Sequence, residues 1–225
     1  MTGHKPAAGG GHWVEVPPER LQRWFAGFDE RHGVERIEVE SGTLTVVGGD
    51  GSLAECHPPF PPVADPGKSA DLEWGVDALV RHAVKDRRVG VLLVRLGGYA
   101  AGIFEGRKLV VSKVDSRLVH GRNKAGGQSS GRFARRREGQ ARQLAEAAAA
   151  VAARVLLPEL KTLDAVVFGG DKAAIDATLA ENPALAPLAK LAVERFLTVP
   201  DPRRAVLEAV PDAFRATRIR VVDPD

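Results

Sequence analysis

Residue types that could carry out chemistry are concentrated in one segment, Lys124 to Ala141, which reads KAGGQSSGRFARRREGQA. It holds a Gly-Gly-Gln tripeptide at 126–128, two adjacent serines, Ser129 and Ser130, and a run of arginines. Three chemistries use such residues: a loop that binds phosphate through backbone N–H groups, the serine turn of a hydrolase, or a loop tip that reaches into folded RNA.

A phosphate-binding loop is disfavoured. GGQSSG lacks the Gly-Lys-Ser/Thr ending of a Walker loop and follows a polar run instead of a strand. A second glycine pair, Gly169-Gly170, stands between an apolar run and a helical pattern, but Asp171 would repel a phosphate at the helix start. We interpret this pair as a plain turn, and we expect no nucleotide and no other cofactor.

A serine hydrolase is also disfavoured, although residues 127–131 formally satisfy Gly-x-Ser-x-Gly. A nucleophilic elbow needs a hydrophobic strand immediately before the serine, whereas the preceding residues here are VHGRNKA. His120 is the only histidine after His82, so no histidine follows the serine as in those hydrolases. The match is accidental on this interpretation.

No metal site is expected either. The six histidines show no ligand spacing, and one cysteine, Cys56, can form neither a structural zinc site nor an intrachain disulfide. Cys56 and His57 lie in the proline-rich stretch that we interpret as a linker, with Cys56 as a small buried thiol.

Positive charge is focused between Arg117 and Arg142, where eight cations face the single anion Glu138. Because the whole chain carries a net charge of only +3, the remainder is net negative. A solvated helix face would interleave Glu and Lys, so this focused patch favours one polyanionic partner, a nucleic acid.

The Gly-Gly-Gln tripeptide gains meaning from the helical pattern that follows it. Two adjacent glycines let a loop tip approach another backbone closely, with Gln128 at the apex. Helical spacing places three arginines on one face, Arg132, Arg135 and Arg136. Apolar residues fall on another face that should pack on a sheet, namely Phe133, Leu144, Ala148, Val151 and Val155. The pattern predicts a mobile tip on an arginine-bearing stem.

Composition is that of an ordinary globular chain of 225 residues, with 44% hydrophobic and 27% charged residues. No apolar run approaches the roughly 18 residues of a membrane span, and the first residues hold no apolar signal segment. We therefore expect a cytoplasmic protein, without membrane contact and monomeric.

The element pattern predicts two domains. Residues 1–12 are expected to be a flexible tail, and 13–62 a small α+β unit with one helix and the hairpin VERIEVE/TLTVVG. Its Trp and Phe residues are interpreted as core. A linker follows at 63–70, and 71–225 should form an α/β domain.

The second domain should contain a helix, three antiparallel strands, a loop at 115–131 and a long helix from about 131 to 157. A strand (LDAVVFGG), a helix capped by Asp171, a strand at 192–199, a helix and a last strand (TRIRVV) should follow. Such an order predicts a mixed sheet flanked by helices.

GGQSSGRFARRR, with the preceding HGR, resembles the catalytic loop and following helix of the middle domain of eukaryotic and archaeal class-1 release factors. The element order is similar to that RNase H-like domain. The chain is most similar to the actinobacterial Vms-like release factors, taken to be peptidyl-tRNA hydrolases of ribosome rescue and quality control. Three extra residues, 123–125, lengthen the loop relative to that pattern.

The resemblance implies an activity and its site residues. The substrate would be the ester of peptidyl-tRNA in the large ribosomal subunit, with Gly126, Gly127 and Gln128 as catalytic residues. Contacts to ribosomal or transfer RNA would come from Arg122, Lys124, Arg132, Arg135 and Arg136, while Ser129 and Ser130 cap the helix. Two alternatives stay open: removal of the tRNA 3′ end by strand cleavage, and a ribosome-binding factor without catalysis.

The two serines give the first testable prediction. If they are helix caps, Ser129→Ala and Ser130→Ala should each cost about 1 kcal/mol of local helix stability and lower peptide release only slightly. Release assays and a serine-directed fluorophosphonate probe test this. Complete loss of activity in one variant, together with labelling of that serine in the unsubstituted protein, would restore the hydrolase interpretation.

Overall fold

The computed structural model describes residues 5–40, 42–60, 72–95, 97–116 and 130–224. For residues 5, 72–74 and 130–137 it describes the backbone alone. No helix in these ranges is long and apolar enough to cross a membrane.

The described residues form strands and helices that alternate along most of the chain. The strands are β1 (Lys5–Pro6), β2 (His12–Val16), β3 (Val34–Glu40), β4 (Thr43–Gly48), β5 (Leu53–His57), β6 (Arg88–Arg95), β7 (Gly98–Glu105), β8 (Lys108–Ser116), β9 (Ala165–Gly170) and β10 (Thr217–Val222). The helices are α1 (Leu21–His32), α2 (Leu72–Val84), α3 (Ser130–Leu156), α4 (Lys172–Glu181), α5 (Ala186–Lys190) and α6 (Arg204–Phe214).

The chain divides into two compact units, and the division differs from the predicted one. The first unit comprises Met1–Lys85 with Asp212–Asp225, and the second comprises Asp86–Pro211. The second unit thus begins later and ends earlier than the domain expected over 71–225, whose bounds stay a prediction. The expected linker, 63–70, lies outside the described residues.

The first unit is a six-stranded sheet in the order β1-β2-β10-β5-β4-β3, with every neighbouring pair antiparallel. Strand β10 buries every second residue, Thr217, Ile219 and Val221, as expected of a sheet with one covered face. Its apolar core joins α1, α2 and the sheet, and includes Leu21, Phe25, Phe28, Val76, Leu79, Ala54, Cys56 and Ile219. The interpretation of Phe25 and Phe28 as core is confirmed.

Pairing between distant segments explains what the sequence interpretation missed in this unit. Strand β10 inserts between β2 and β5, placing Ile219 opposite both Val14 and Cys56. Cys56 is thus a buried residue of a strand, and the linker assignment was wrong. Residues 5–12, expected as a flexible tail, pair as β1 with β2, and Arg220 donates to the Gly9 and Gly10 carbonyl oxygens.

The second unit is a four-stranded mixed sheet in the order β8-β7-β6-β9. Strands β6, β7 and β8 form an antiparallel meander, and β9 pairs parallel to β6. Helix α3 connects β8 at one edge to β9 at the other. An α/β fold with a mixed sheet, three antiparallel strands and a long following helix is confirmed, whereas the finer RNase H-like assignment stays a prediction.

The strand predicted at 192–199 is absent. This segment touches β9 only at two isolated parallel bridges, Val166 with Ala192 and Gly169 with Leu197. Three residue steps separate the bridges in β9 but five separate them in the segment, so a continuous ladder cannot form. The apolar residues that predicted a strand instead belong to a segment that pairs with β9 at these two bridges. Leu197, at the second bridge, is buried.

Asp50 joins the end of α1 to the turn between β4 and β5. Its Oδ2 accepts a hydrogen bond from His32 Nδ1 at 2.9 Å, and its Oδ1 accepts from the Ser52 N–H at 2.9 Å. The bond from His32, followed by that from Ser52, lowers the pKa of Asp50 to about 2.

This shift predicts the pH dependence of stability. Because the pKa is depressed in the folded state, the ionised carboxylate stabilises the fold above its unfolded value of about 3.9, and this contribution disappears as pH falls through about 2. Asp50→Asn should therefore lower the free energy of unfolding at pH 7. It should also flatten the pH dependence of that free energy between about pH 2 and about pH 3.9. Urea unfolding at several pH values measures this, with the exposed Asp176→Asn on α4 as control. Equal pH profiles for both variants would contradict the assignment.

Candidate nucleic-acid interface

The candidate site is framed by two elements of the second unit, the end of β8 and the start of α3. Strand β8 ends at Ser116 and α3 begins at Ser130, so residues 117–129 connect them. The predicted loop bounds of 115–131 are two residues too wide at each end, because strand pairing continues to Ser116 and the helix already includes Ser130 and Gly131.

The predicted site residues fall into two groups by what the structure describes. Outside the described residues lie Arg122, Lys124, Gly126, Gly127, Gln128 and Ser129. Within the first two turns of α3, with their backbone described, lie Ser130, Arg132, Arg135 and Arg136. Ser129 immediately precedes the helix, which is where N-cap serines stand. The individual roles of all ten residues stay predictions.

Helix α3 is anchored by its C-terminal half. That half contributes a row of small and apolar side chains to the core of the second unit, comprising Leu144, Ala148, Ala149, Val151, Ala152, Val155 and Leu156. They pack with sheet residues such as Leu92 and Ile103, and with Ile175 of α4. The predicted burial of Leu144, Ala148, Val151 and Val155 is confirmed, whereas the Phe133 side chain lies outside the described ones.

The N-terminal half of α3 forms what we term the stem, residues 130–143. Leu144 is the first buried residue of α3 among its described side chains. Between 138 and 143 every residue is exposed except the half-buried Gln140. At 1.5 Å per residue the stem is about 20 Å long. The backbone of its first residues therefore lies well away from the buried half of the helix.

The strand that leads into the candidate loop is held by a contact that sequence interpretation missed. Arg204 Nη1 at the start of α6 donates to Ser112 Oγ of β8 at 3.0 Å, and its Nε donates to Glu208. Ser112 and Arg204 are 92 positions apart, so no local pattern could have predicted the pair. The contact ties the edge strand β8 to α6.

The stem also carries two residues to which the sequence interpretation gave no role. Arg142 is exposed, and its Nε donates to Glu146 at 3.1 Å, one turn further along the helix. Gly139 is exposed and lies on the same helical face as positions 132, 135 and 136. Helical spacing from the three predicted RNA-contacting arginines could have identified both residues.

Three residues of the first unit combine the types of a catalytic triad without its geometry. His32 Nδ1 lies 2.9 Å from both Asp50 Oδ2 and Ser52 Oγ. A triad needs the carboxylate and the hydroxyl on different nitrogens of the imidazole, and Ser52 is fully buried. This cluster is therefore structural.

Other potential reactive groups are also accounted for. Burial raises the pKa of the Cys56 thiol, which disfavours the nucleophilic thiolate. Gly170 has a φ of 102° and a Cβ there would lie 2.1 Å from the Val94 carbonyl oxygen, while the Asp171 side chain accepts from the Ala174 N–H at 3.2 Å. The interpretation of this segment as a turn with a helix cap is confirmed. Among the described side chains, no three His, Cys, Asp or Glu are grouped to hold a metal ion.

A mixed α/β unit whose helical stem follows a Gly-Gly-Gln segment defines a release-factor-like protein. The model of the Actinobacteria/chloroflexi VLRF1 release factor family matches residues 87–220, which is more than half of the chain. The chain belongs to this family, and the predicted resemblance to Vms-like release factors is confirmed.

Comparison with individual proteins gives more distant likenesses. The peptide chain release factor subunit 1 of Archaeoglobus fulgidus is 26% identical over 132 residues, covering 59% of this chain and 32% of that factor. The match thus spans about a third of that relative's length.

Solved structures similar to this chain include three factors. An archaeal translation termination factor, aRF1, has a TM-score of 0.42 and 14% identity, covering 90% of this chain and 66% of that one. The Vms1 mitochondrial localization core has a TM-score of 0.39 and 8% identity, covering 92% and 82%. Dom34 of S. cerevisiae has a TM-score of 0.36 and 9% identity, covering 93% and 66%.

The stem arginines give a prediction about salt dependence. If Arg132, Arg135 and Arg136 neutralise RNA phosphates, each Arg→Ala substitution should flatten the log–log salt dependence of binding to large ribosomal subunits by about 0.7 to 0.9. Titration of labelled subunits at several salt concentrations supplies the slopes.

Arg81→Ala is the matched control, because Arg81 is an exposed arginine paired with Asp77 within α2. Its slope should equal that of the unsubstituted protein. Equal slopes for all four variants would mean that the stem is only a solvated helix surface.

Proposed function

We propose that this chain hydrolyses the ester bond of peptidyl-tRNA held in the large ribosomal subunit and so frees nascent chains from stalled complexes. The observation that carries the proposal is membership of a release factor family combined with a Gly-Gly-Gln segment that directly precedes an arginine-bearing helical stem in the sequence. The reaction takes place in the cytoplasm, where the substrate is found, and needs no cofactor.

The residue types in the tip support positioning and electrostatic catalysis. Gln128 carries a neutral carboxamide, which is too weak a base to remove a proton from water, so it is not a general base. It places the attacking water beside the ester carbon, and its backbone N–H donates to the oxyanion of the tetrahedral intermediate. The proton released by the water passes to the ribose oxygen of the tRNA as the ester bond breaks.

The neighbouring residues serve the approach of the tip to its substrate. Gly126 and Gly127 have no side chain, which lets the backbone come close to the terminal ribose. Arg122, Lys124 and the stem arginines bind phosphates and set the orientation of the tip without reading base sequence. Ser129 and Ser130 cap the first turn of α3.

In this proposal the stem and the tip have separate tasks. The stem is continuous with a buried helix, so its direction is set by the core of the second unit. Only residues 117–129 need to adapt to the substrate. This division supports a mechanism in which RNA binding places the stem and the tip then meets the ester.

Substitution of Gln128 tests the proposed chemistry. Gln128→Ala should lower single-turnover peptide release by about 100-fold, as expected for loss of one positioning or oxyanion-stabilising group. Affinity for large subunits should stay unchanged, because the tip contributes little contact area. Release is measured from purified large subunits that carry labelled peptidyl-tRNA.

Gln140→Ala is the matched control, since Gln140 is a half-buried glutamine of the stem beyond the tip. It should release peptide at nearly the unsubstituted rate. Unchanged release by Gln128→Ala would refute the catalytic role of the tripeptide, whatever the affinity of the variant.

A further inference from the structure

Gly139 occupies an unusual position in α3. It lies in the interior of a 27-residue helix, where glycine is the least favourable residue apart from proline. Among the described residues, a Cβ built at this position would meet nothing within 4 Å outside the local helix backbone. Neither packing against the described residues nor backbone conformation therefore requires a glycine there.

The surroundings of Gly139 on the helix surface are strongly basic. The four positions that border a helical residue are those three and four residues before and after it. For Gly139 these are Arg135, Arg136, Arg142 and Gln143. Three of the four bordering residues are arginines, Glu138 precedes Gly139 directly in the chain, and the anion on the far side, Glu146, is paired with Arg142 Nε.

A helix surface that lacks one side chain and is bordered by cationic residues is complementary to a small anionic group. The absent Cβ leaves a shallow depression whose floor is the helix backbone, and arginine occupies positions that border it on both sides along the helix axis. Guanidinium groups bind phosphate oxygens in bidentate geometry. The depression can therefore accept a phosphodiester group closer to the helix axis than any other residue would allow.

We propose that Gly139 is the floor of a phosphate notch, bordered by Arg135, Arg136, Arg142 and Gln143, on which the sugar–phosphate backbone of RNA packs. This inference rests on the proposed function, because it requires the stem to lie against RNA. It adds to that function a steric contact point on α3, nine positions beyond Ser130, and it assigns a role to Arg142.

A bulky side chain at position 139 should block the notch without weakening the helix. Gly139→Leu introduces a good helix former, so folding is retained, and circular dichroism verifies this. The variant should bind large ribosomal subunits about tenfold more weakly, as for loss of one charged hydrogen-bonded contact. Its log–log salt slope should fall by about 0.7 to 0.9 for one lost phosphate.

Ala141→Leu is the matched control on the opposite side of the stem. Residue 141 is exposed and lies about 200° around the helix axis from residue 139. The same leucine there should leave both the affinity and the salt slope unchanged. Equal affinity of Gly139→Leu and the unsubstituted protein overturns the notch, as does equal weakening by the two leucine variants.

A double substitution separates a notch from a hinge, since an interior glycine also loosens a helix. Gly139→Ala should weaken binding, and the double variant Gly139→Ala with Ala141→Gly keeps one glycine in the stem two positions away. The notch predicts that binding stays weak in the double variant. Recovery of binding would show that flexibility is what matters, and it overturns the notch.

Failure of the notch and failure of the proposed function give different results. If the unsubstituted protein releases peptide and Gln128→Ala does not, the proposed function stands whatever the position 139 variants show. If the unsubstituted protein fails to bind large subunits at all, both are overturned.

Discussion

One helix whose C-terminal half is buried, and whose described side chains before it, 138–143, are exposed or half-buried, sets the geometry of the second unit. The C-terminal half of α3 packs small and apolar side chains, including Leu144, Val151 and Val155, against the sheet and α4. Each fully buried Leu or Val stabilises the fold by roughly 1.5 to 3 kcal/mol. The stem has no comparable burial among its described side chains, and an isolated helix of its length would be marginal in water. It forms because the buried half provides the nucleus and the stem only extends it.

This dependence links packing to the proposed chemistry. A neutral glutamine and backbone N–H groups accelerate hydrolysis only by placement, so the error in their position must be small. In the proposed mechanism, a stem continuous with the core sets the direction of the tip, and phosphate contacts along the stem set how far the tip reaches. Changes in the buried half, far from Gln128, should therefore affect the orientation of the tip, whereas the arginines affect how strongly it is held.

Local patterns predicted local structure well. Helical spacing identified the buried face of α3, Asp171 was identified as a cap, and alternating residues predicted the β3–β4 hairpin. Long-range pairing was not predictable in this way. Nothing near Cys56 indicates that Ile219 lies opposite it in the sheet, and nothing near 192–199 shows that β9 accepts only two bridges. At the candidate site, the functional prediction depended on the residue types and the spacing between Gly126 and Arg136. The contact between Ser112 and Arg204 could be identified only from the three-dimensional structure.

Analysis of the reaction products tests the central claim most directly. Purified large subunits carrying peptidyl-tRNA, labelled on both the tRNA 5′ end and the peptide, are incubated with the protein and resolved on a denaturing gel of single-nucleotide resolution. Ester hydrolysis predicts free peptide together with full-length tRNA whose 3′ end can be aminoacylated again. A tRNA shortened at its 3′ end, or peptide that stays attached to tRNA, would contradict peptidyl-tRNA hydrolysis by this chain.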